Sequence, residues 1–498
     1  MKQIREYRAL LLIGVVFVLL LLSNCREEEV FSDAPGDQPT FSVDTLMFDT
    51  VFTVRGSVTR FFKVYNPHEN AMRIERVRLQ EGDNSKFRVN IDGTQGPDVR
   101  DLEIAPGDSA YVFVEVTIDP DEPLSSSPFV IEENILFTTN GEDRLILLQA
   151  WGQNANYVPF VNGNDNIAVL SCSNATVQWN DPKPYVIFGA LIVDSCVLEI
   201  SAGTRIYVHG GISVVSQDLI FNGGFLFINK EGSLQSLGTV DNPVVWSTDR
   251  LEESFQDDAG QWAGIRILAE SKDNIFQNTV IRNSIIGIQV DSAAELELDK
   301  TMIHTTAGTG LIGVEANITA TNCLFANNNQ SAFEAVQGGN YRFDHCTFAN
   351  FGTDRSAINL SNFRCLDLPV CSQVLPGNLF FRCRNSIVTG SLEDEVQLSD
   401  INFLSGSATG ASFDYRFENC FVRVDEMLDD YPDFFDFCEN CEDHNSGQDF
   451  FMDVDEINYA LDTLSKAIDF GINIGVSDDI EGMPRDGSPD AGCYEYQF

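Results

Sequence analysis

The chain has 498 residues and carries 31 Lys and Arg against 75 Asp and Glu, which gives a net charge of -44 at pH 7. A surface of that sign repels nucleic acid and other polyanions, so we exclude nucleic acid as a partner. Hydrophobic residues make up 43% of the chain and Phe alone contributes 37 residues, which favours packed domains over disorder. The length allows roughly two to four domains of ordinary size.

The N-terminus has the pattern of an export signal. Three basic residues, Lys2, Arg5 and Arg8, precede an uninterrupted apolar run over residues 9–22. This run is shorter than the roughly 20 residues that a bilayer-spanning helix needs. It therefore predicts a signal peptide rather than a transmembrane anchor, with an uncleaved signal anchor as the alternative.

The apolar run ends in Leu22-Ser23-Asn24-Cys25, which resembles the lipobox of bacterial lipoproteins, with Asn24 in place of the usual small residue. The resemblance implies that residues 1–25 are a lipoprotein signal peptide, that Cys25 carries lipid, and that the membrane is a partner through this anchor. The next residues, Arg26-Glu27-Glu28-Glu29, resemble the export tag of surface-exposed outer membrane lipoproteins, although an ordinary solvated linker is the alternative. We therefore expect a cell-envelope location and an acidic linker over residues 26–40.

Residues 41–153 alternate short strand patterns with turn residues about every 8 to 12 positions. Seven segments have the strand pattern: residues 59–65, 72–79, 86–91, 101–104, 110–118, 133–138 and 145–151. The strings VYNPHENAMRIERV, LEIAPGDSAYVFVEVTIDP and ILFTTNGEDRLILLQAWGQ resemble immunoglobulin-like sandwich domains of the major-sperm-protein and Hydin type. That resemblance implies a β-sandwich that acts as an interaction or spacer module and not as a catalyst.

Residues 278–350 repeat with a short period. Runs of a small or polar residue, a spacer and a large apolar residue begin at Thr279, Thr301, Cys323 and Cys346, spaced 22, 22 and 23 residues apart. Two further columns keep this period: Leu296, Ile318 and Tyr341, and the small residues Gly287, Gly310, Ala332 and Ala357. Alternation inside each run predicts strands, and the longer period predicts a solenoid whose stacked coils share one core.

Earlier segments resemble the coils of right-handed parallel β-helix proteins of bacterial cell surfaces. They are residues 196–208, 232–247 and 261–267. The resemblance implies that residues 154–465 form a right-handed parallel β-helix of the pectin-lyase-like kind. The predicted fold class is therefore all-β, with an immunoglobulin-like sandwich before the β-helix. Departures from the repeat at residues 365–383 and 390–415 predict loops on one face, where binding surfaces often lie.

The C-terminal part is acidic and rich in Phe. We expect its aromatic residues to cover the open end of the β-helix: Phe434, Phe435, Phe437, Phe450 and Phe451. The final stretch, INYALDTLSKAIDFG followed by DDIEGMPRDGSPDAGCYEYQF, resembles the terminal signature of the same family. It implies that residues 466–498 are a C-terminal cap of the β-helix.

Two pairs of cysteines are candidates for disulfide bonds: Cys172 with Cys196, and Cys365 with Cys371. An exported chain meets an oxidising compartment, so we expect the first pair to be bonded and the second to staple its loop. Cys323 and Cys346 share a column, and we expect them to be stacked, buried thiols.

Cys438, Cys441 and His444 place metal-ligand residue types close together. Three interpretations stay open: cysteines that form a disulfide or pair with other cysteines of the chain, a zinc site, and a redox pair. Zinc would need a fourth ligand, and a thioredoxin-like motif would need a βαβ unit that the predicted fold lacks. We predict no cofactor, although the acidic loops leave calcium open.

The predicted fold and charge favour an exported, lipid-anchored surface protein that presents an acidic β-helix for binding or adhesion, to a glycan or to another surface protein. The alternatives are a polysaccharide lyase or glycoside hydrolase on the β-helix face, and a purely structural envelope component. His209-Gly210 resembles a pair in pectin hydrolases, but we do not find their Asp series in order, so we assign no catalytic residue and favour a binding protein over an enzyme, which stays open. A groove with Lys or Arg beside carboxylates would favour an enzyme, and aromatic residues along a groove would favour glycan binding.

Overall fold

The computed structural model describes the following residues: 30–52, 59–117, 129–158, 167–172, 175–210, 212–216, 219–251, 255–367, 370–406, 409–444 and 450–497. The chain divides into two compact units, one ending at Gln153 and the other beginning at Asn154. Within the described ranges, no helix is long and apolar enough to cross a membrane. The predicted signal peptide and Cys25 lie outside these ranges.

The first unit consists of two five-stranded sheets that share one hydrophobic core. In spatial order, the first sheet contains Thr40–Phe41, Arg60–Tyr65, Ser109–Val116, Phe87–Ile91 and Thr94–Gln95. The second contains Thr45–Phe52, Glu142–Gln153, Phe129–Thr139, Met72–Leu79 and Asp98–Ile104. A 3-10 turn, Gly82–Asn84, precedes Phe87–Ile91. Side chains alternate along each strand, so Phe62 and Val64 are buried while Phe61 and Tyr65 are exposed.

The second unit is a parallel β-helix whose coils stack into two long sheets. An eleven-stranded sheet contains Asn156–Val158, Tyr185–Ile187, Arg205–Val208, Val244–Thr248, Thr279–Arg282, Met302–Thr306, Leu324–Asn328, Thr347–Asn350, Ile387–Gly390, Phe421–Val422 and Glu442–Asp443. A seventeen-stranded sheet contains Ile167–Leu170, Thr176–Trp179, Ala190–Val193, Val197–Ser201, Phe225–Ile228, Ser233–Leu237, Gly264–Ile267, Asn274–Gln277, Ile288–Val290, Glu295–Asp299, Leu311–Thr321, Phe333–Asp344, Ile358–Ser361, Leu379–Arg384, Val396–Ser399, Phe413–Glu418 and Cys438–Glu439. All strands paired within these two sheets run parallel, as the repeat predicts.

The strand register confirms the predicted apolar column. Leu296 lies beside Ile318, and Ile318 lies beside Tyr341 on the following coil. All three side chains are buried in the interior core of the β-helix. Because stacked strands are about 4.8 Å apart, each coil supplies one side chain per column and the core continues without a break.

From Asn274–Gln277 onward, each coil turns from the seventeen-stranded sheet to the eleven-stranded sheet at a residue with positive φ. Consecutive coils place at this corner Asn278, Lys300, Asn322, His345, Asn385, Asn419 and Asn440, with φ between 42° and 53°. Asn adopts this left-handed conformation more readily than most residues, because its short polar side chain can hydrogen-bond locally. The residues that follow the corners are small: Thr279, Thr301, Cys323, Cys346, Ser386, Cys420 and Cys441.

The two predicted departures from the repeat have different structures. The first contains a small hairpin of Phe363–Cys365 and Val374–Pro376. The second is only partly loop, because Val396–Ser399 pairs in register with Ile358–Ser361. A short α-helix, Ile401–Ser405, follows that strand. The remaining elements are the hairpins Ile212–Ser216 with Leu219–Asn222 and Phe451–Asp453 with Asn458–Leu461, the helix Met427–Asp430 and the 3-10 turn Phe434–Phe437.

The prediction that residues 466–498 cap the end of the β-helix is wrong. Residues 450–497, which we call the strap, pack on the outward face of the eleven-stranded sheet. The buried cluster between them contains Phe450, Phe451, Tyr459, Leu461, Ile480, Cys493 and Tyr494 of the strap and Leu324, Ala326, Ala349, Ile387 and Phe421 of the sheet. Of the five Phe expected at the open end, Phe434 joins the interior core, and Phe435 and Phe437 are exposed.

Corner residues hold the strap in place. The side-chain amide of Asn385 donates to the Ile472 carbonyl at 2.7 Å, and its oxygen accepts from the Ile472 N–H at 3.1 Å. Three coils earlier, the Lys300 ammonium lies 2.7 Å from a carboxylate oxygen of Asp478. The strap therefore runs back along the stack and covers outward apolar residues, such as Leu324, that would otherwise face water.

Candidate functional site

Outward side chains of the seventeen-stranded sheet form polar columns across consecutive coils. One column contains Glu295, Asn317, Asn340, Phe380 and Asp414. The next contains Ile275, Glu297, Thr319, Arg342, Arg382 and Arg416. Intervening residues such as Ile318 and Tyr341 point into the core, because side chains alternate along a strand. We call the surface formed by these two columns the outer polar face.

An open groove of about 610 Å³ lies on the outer polar face. The polar groups along it are three carboxylates, an arginine, and amide and hydroxyl groups: Asp273, Glu295, Glu297, Asn317, Thr319, Asn340 and Arg342. They offer both donors and acceptors, which suits a ligand with many hydroxyl groups. No aromatic side chain is among the described residues that line this groove. The nearest aromatic residue of the columns is Phe380, which pairs with Asn340.

Ion pairs engage the arginines of this face. Arg342 Nε lies 2.9 Å from Asp344 Oδ2, and Arg384 contacts both oxygens of the same carboxylate, at 2.6 and 2.9 Å. Arg382 pairs with Asp414, and Arg416 pairs with Glu418 and Glu439. Asp344 is buried, which strengthens its bidentate hydrogen bonds with Arg384. Ion pairs between half-exposed groups contribute only about 0–1 kcal/mol to the stability of the fold. Paired guanidinium groups still have N–H donors to offer to a ligand.

A second, acidic cleft of about 770 Å³ lies beside the last coils. Its lining includes Arg355, Tyr431 and five carboxylates: Asp354, Glu393, Asp394, Glu426 and Asp430. Asp394 has a structural role, because its two oxygens accept the backbone N–H groups of Asp425 at 2.6 Å and Met427 at 3.0 Å. Within the described part of the chain, no three or more His, Cys, Asp or Glu residues are arranged to hold a metal ion.

Glu395, next to Asp394 in the chain, is fully buried. Burial raises the pKa of its carboxyl group to about 7. One oxygen accepts the Leu392 N–H at 2.7 Å and the other accepts the Ala357 N–H at 2.8 Å. Both oxygens are thus occupied by the backbone, so Glu395 fixes its loop and does not face a substrate.

The structure places disulfide bonds between Cys172 and Cys196 and between Cys365 and Cys371. The second bond closes the loop of the hairpin in the first departure from the repeat. Cys323 and Cys346 are buried free thiols on adjacent coils, the position that the repeat predicts for them.

Cys438 and Cys441 are free thiols, so the disulfide between them is wrong, but Cys441 does contact another cysteine, Cys420. Cys438 lies on the seventeen-stranded sheet opposite Phe417. Cys441 follows the next corner and lies on the coil adjacent to Cys420. The two side chains therefore belong to different columns. Hydrogen bonds with the thiols of Cys420 and Cys438 lower the pKa of Cys441.

His444 does not complete a zinc site with these cysteines. Its Nε2 donates a hydrogen bond to the Val388 carbonyl, 3.2 Å away. Its ring contacts the rings of Phe421 and Phe450. Burial lowers the pKa of the imidazole. His444 is therefore a neutral histidine of the strap interface, and the zinc interpretation is wrong for the described residues.

The lipid-attachment candidate, Cys25, lies outside the described residues. His209 follows a strand of the eleven-stranded sheet, and its Nδ1 lies 2.6 Å from Asp249 Oδ2. It is therefore on a different sheet from the outer polar face and does not join the groove.

Residues 263–422 match the family model described as "Right handed beta helix region". This match includes the whole of the groove and gives the hand of the coils. A search of curated proteins found no match to this chain.

Solved structures with similarity include a protein of unknown function from Porphyromonas gingivalis W83, with 19% identity, a TM-score of 0.18, and coverage of 23% of this chain and 46% of that one. A family 123 glycoside hydrolase from Clostridium perfringens has 10% identity and a TM-score of 0.18, over 28% of this chain and 27% of that one. The catalytic domain of a GH87 alpha-1,3-glucanase in complex with nigerose has 9% identity and a TM-score of 0.23, over 72% and 80%. This chain thus spans less than half of the first two, and at these TM-scores none of the three is evidence of its function.

Sequence reasoning missed the groove because its residues come from four separate coils. Glu295, Asn317 and Asn340 are each ordinary exposed polar residues when read alone. The repeat of about 22 residues does place them in one column, since Asn317 pairs with both neighbours in the observed register. Aligning the coils by their inward residues and reading the positions between them would have revealed the column.

Proposed function

We propose that this chain is an exported, lipid-anchored surface protein that binds a neutral glycan along the outer polar face of its β-helix. The observation that carries the proposal is the groove of about 610 Å³, in which Glu295, Asn317 and Asn340 recur at the same position of consecutive coils. A glycan repeats its hydroxyl groups along its length. Donors and acceptors repeated from coil to coil can bind successive sugar units in similar ways.

The charge of the chain favours a neutral glycan over a uronate polymer. The net charge is -44, and the groove contains three carboxylates against one arginine. Arg342 is itself paired with Asp344. A polyanionic ligand would therefore approach against the field of the whole molecule, whereas a neutral sugar would not.

The remaining parts of the proposal come from the N-terminal sequence and the first unit. The segment before Cys25 resembles a lipobox, which supports lipid anchoring and an outer membrane, surface-exposed location. Two sheets that share one core support an immunoglobulin-like sandwich, which would serve as a spacer between anchor and β-helix. Labelling cells with radioactive palmitate tests the anchor: the wild-type chain should be labelled, and a labelled Cys25→Ala chain would contradict the assignment.

A glycan array of the soluble fragment that starts after Cys25, with and without calcium, tests the binding function. We expect binding to neutral glycans without cleavage, and the same signal when calcium is removed. Product analysis of each positive glycan should show no new reducing or unsaturated ends. Binding to proteins of the cell surface in place of any glycan would contradict the proposal.

An enzyme on the same face is the second candidate. Arg342 lines the same groove as Glu295 and Glu297, from a strand two coils further along, and a lyase or a hydrolase on this fold would need both residue types. Inverting hydrolysis needs two carboxyl groups roughly 6.5–9.5 Å apart, and residues two apart on one strand have about that separation. New reducing or unsaturated ends in the product analysis would favour this candidate over simple binding.

A further inference from the structure

The first unit has a cleft of its own, of about 650 Å³, on the sheet that contains Ser109–Val116 and Phe87–Ile91. Its lining includes Arg88, Asn90, Gln95, Phe113 and Glu115. Its volume lies within the range of roughly 300–1,000 Å³ that is usual for sites of small ligands. The cleft belongs to a different unit from the outer polar face, so it requires a separate explanation.

Strand register brings the polar groups of this cleft together. Arg88 lies opposite Glu115, Asn90 lies opposite Phe113, and Gln95 pairs with Asn90 across the edge hairpin. The side-chain oxygen of Asn90 is buried and has no hydrogen-bond partner among the described residues. A buried acceptor without a donor is costly, so a ligand hydroxyl that donates to it would be stabilised.

An aromatic cluster borders the cleft. Phe61, Tyr111 and Phe113 are 53%, 37% and 38% exposed, although they lie on one outward sheet face where polar residues are usual. Their ring centroids lie 5.5–5.9 Å apart, and the Lys63 ammonium lies 4.7 Å from the centre of the Tyr111 ring. Clustered, exposed aromatic rings of this kind indicate a surface that a partner covers.

The ligand chemistry follows from this combination. A pyranose ring has one face of C–H groups, which packs on the electron-rich face of an aromatic ring, and a rim of hydroxyl groups that both donate and accept. Phe113 can meet the C–H face, Asn90 and Glu115 can accept from hydroxyls, and Gln95 and Arg88 can donate to them. The charged residues of the cleft are Arg88, Asp83 and Glu115, so carboxylates outnumber the arginine, which favours a neutral sugar over an anionic one.

We propose that this cleft is a second carbohydrate-binding site, which takes one or two units of a neutral pyranose glycan against Phe113. The first unit is then a binding module as well as a spacer. The cleft does not depend on the outer polar face, so an experiment can disprove binding at one of the two sites without affecting the other.

The test is isothermal titration of the full chain in detergent, with Asn340→Ala introduced to weaken the outer polar face. The probes are cellohexaose, mannohexaose, chitohexaose and hexagalacturonate. We expect at least one of the three neutral probes to bind. Adding Phe113→Ala should weaken that binding by about tenfold, because it removes an aromatic contact worth roughly 1.4 kcal/mol. Adding Asn90→Ala should weaken it by a similar factor.

Leu145→Ala is the control, because Leu145 is an exposed apolar residue on the other sheet of the same unit. It should leave the affinity unchanged. Absence of binding by all four probes, tighter binding of hexagalacturonate than of the neutral probes, or wild-type affinity in the folded Phe113→Ala chain would overturn the proposal. Equal affinity with and without Asn340→Ala, lost in Phe113→Ala, would support this site and count against the outer polar face.

Discussion

Asn385 illustrates how single residues at the corners of the coils determine the position of the strap. Its φ is 49°, and both polar groups of its side chain hydrogen-bond the backbone of Ile472. Its amide also lies 2.9 Å from Nε2 of His345, the corner residue of the preceding coil. This one buried residue therefore adopts the positive φ that the turn requires and also hydrogen-bonds the backbone of the strap.

Asn385→Ala should lower the free energy of unfolding by about 3 kcal/mol, because three buried hydrogen bonds are lost and Ala is strained at this φ. Asn385→Gly should lower the free energy of unfolding by about 1 kcal/mol less than Asn385→Ala does. Both variants lose the hydrogen bonds of the side chain, but Gly adopts the positive φ without strain. Chemical unfolding of both variants measures these differences. Asn440→Ala is the control, because Asn440 lies at an exposed corner with a φ of 53°. Its loss of unfolding free energy should reflect only the strain of Ala at a positive φ. Equal stability of the Ala and Gly variants at 385 would contradict this account.

Glu395 should make stability depend on pH. Its pKa is raised by burial from the usual 4.5 to about 7, so the folded state prefers the protonated form. The stabilisation is therefore complete below about pH 4.5 and is lost as the pH rises through 7, by about 3 kcal/mol in total. Chemical unfolding between pH 4.5 and 8 should show this loss relative to Glu395→Gln, which has no such titration. The exposed Glu393→Gln should follow the wild-type profile, and a Glu395→Gln profile parallel to wild type would count against the assignment.

At the scale of elements, the strap and the eleven-stranded sheet bury each other's apolar side chains. Between Leu324 and Phe421 the outward residues of this sheet are mostly apolar, and Thr347 and Thr389 are the polar residues among them. The strap supplies Tyr459, Leu461 and Tyr494 to cover the apolar ones. Within the strap, Arg485 and Glu495 form an ion pair at 2.9 Å with side chains 1% and 6% exposed. A buried ion pair of this kind is costly to break, so it favours a single docked conformation of the strap.

Deleting residues 450–498 should expose one side of the β-helix and not its end. We expect amide hydrogen exchange to become faster in every strand of the eleven-stranded sheet from Met302–Thr306 to Phe421–Val422, because each loses its outer cover. Mass spectrometry of the exchanged peptides measures this. A chain that lacks only residues 497 and 498 is the control and should exchange like the wild type. Faster exchange confined to the last coil would restore the end-cap model.

The β-helix could be predicted from sequence because Leu296, Ile318 and Tyr341 recur at a constant spacing and face one core. The strap could not, because Leu324-Phe325-Ala326 is apolar on both faces of its strand. In sequence, an outward residue under a strap looks the same as an inward one. The corners could have been predicted from a pattern that the sequence analysis did not use. An Asn precedes a small residue in Asn322-Cys323, Asn385-Ser386 and Asn419-Cys420, and Asn favours the positive φ found at these corners.

Across the whole molecule, the net charge of -44 acts on every ligand that approaches. Positive charge on the seventeen-stranded sheet is concentrated in Arg342, Arg382, Arg384 and Arg416, and each of these arginines is paired with a carboxylate. The affinity for a neutral glycan should therefore change little with salt. The affinity for a uronate polymer should rise with salt, as screening reduces repulsion.

The most direct test of the account is a titration of the neutral glycan identified on the array against three forms of the soluble fragment. These are the wild type, the groove variant Asn340→Ala, and the control Asn359→Ala, which alters an outward Asn on the neighbouring strand outside the groove. We predict that Asn340→Ala weakens binding about fivefold to tenfold, the effect of one lost hydrogen bond, and that Asn359→Ala has no effect. Equal affinity of all three forms would contradict the claim that the outer polar face binds the glycan.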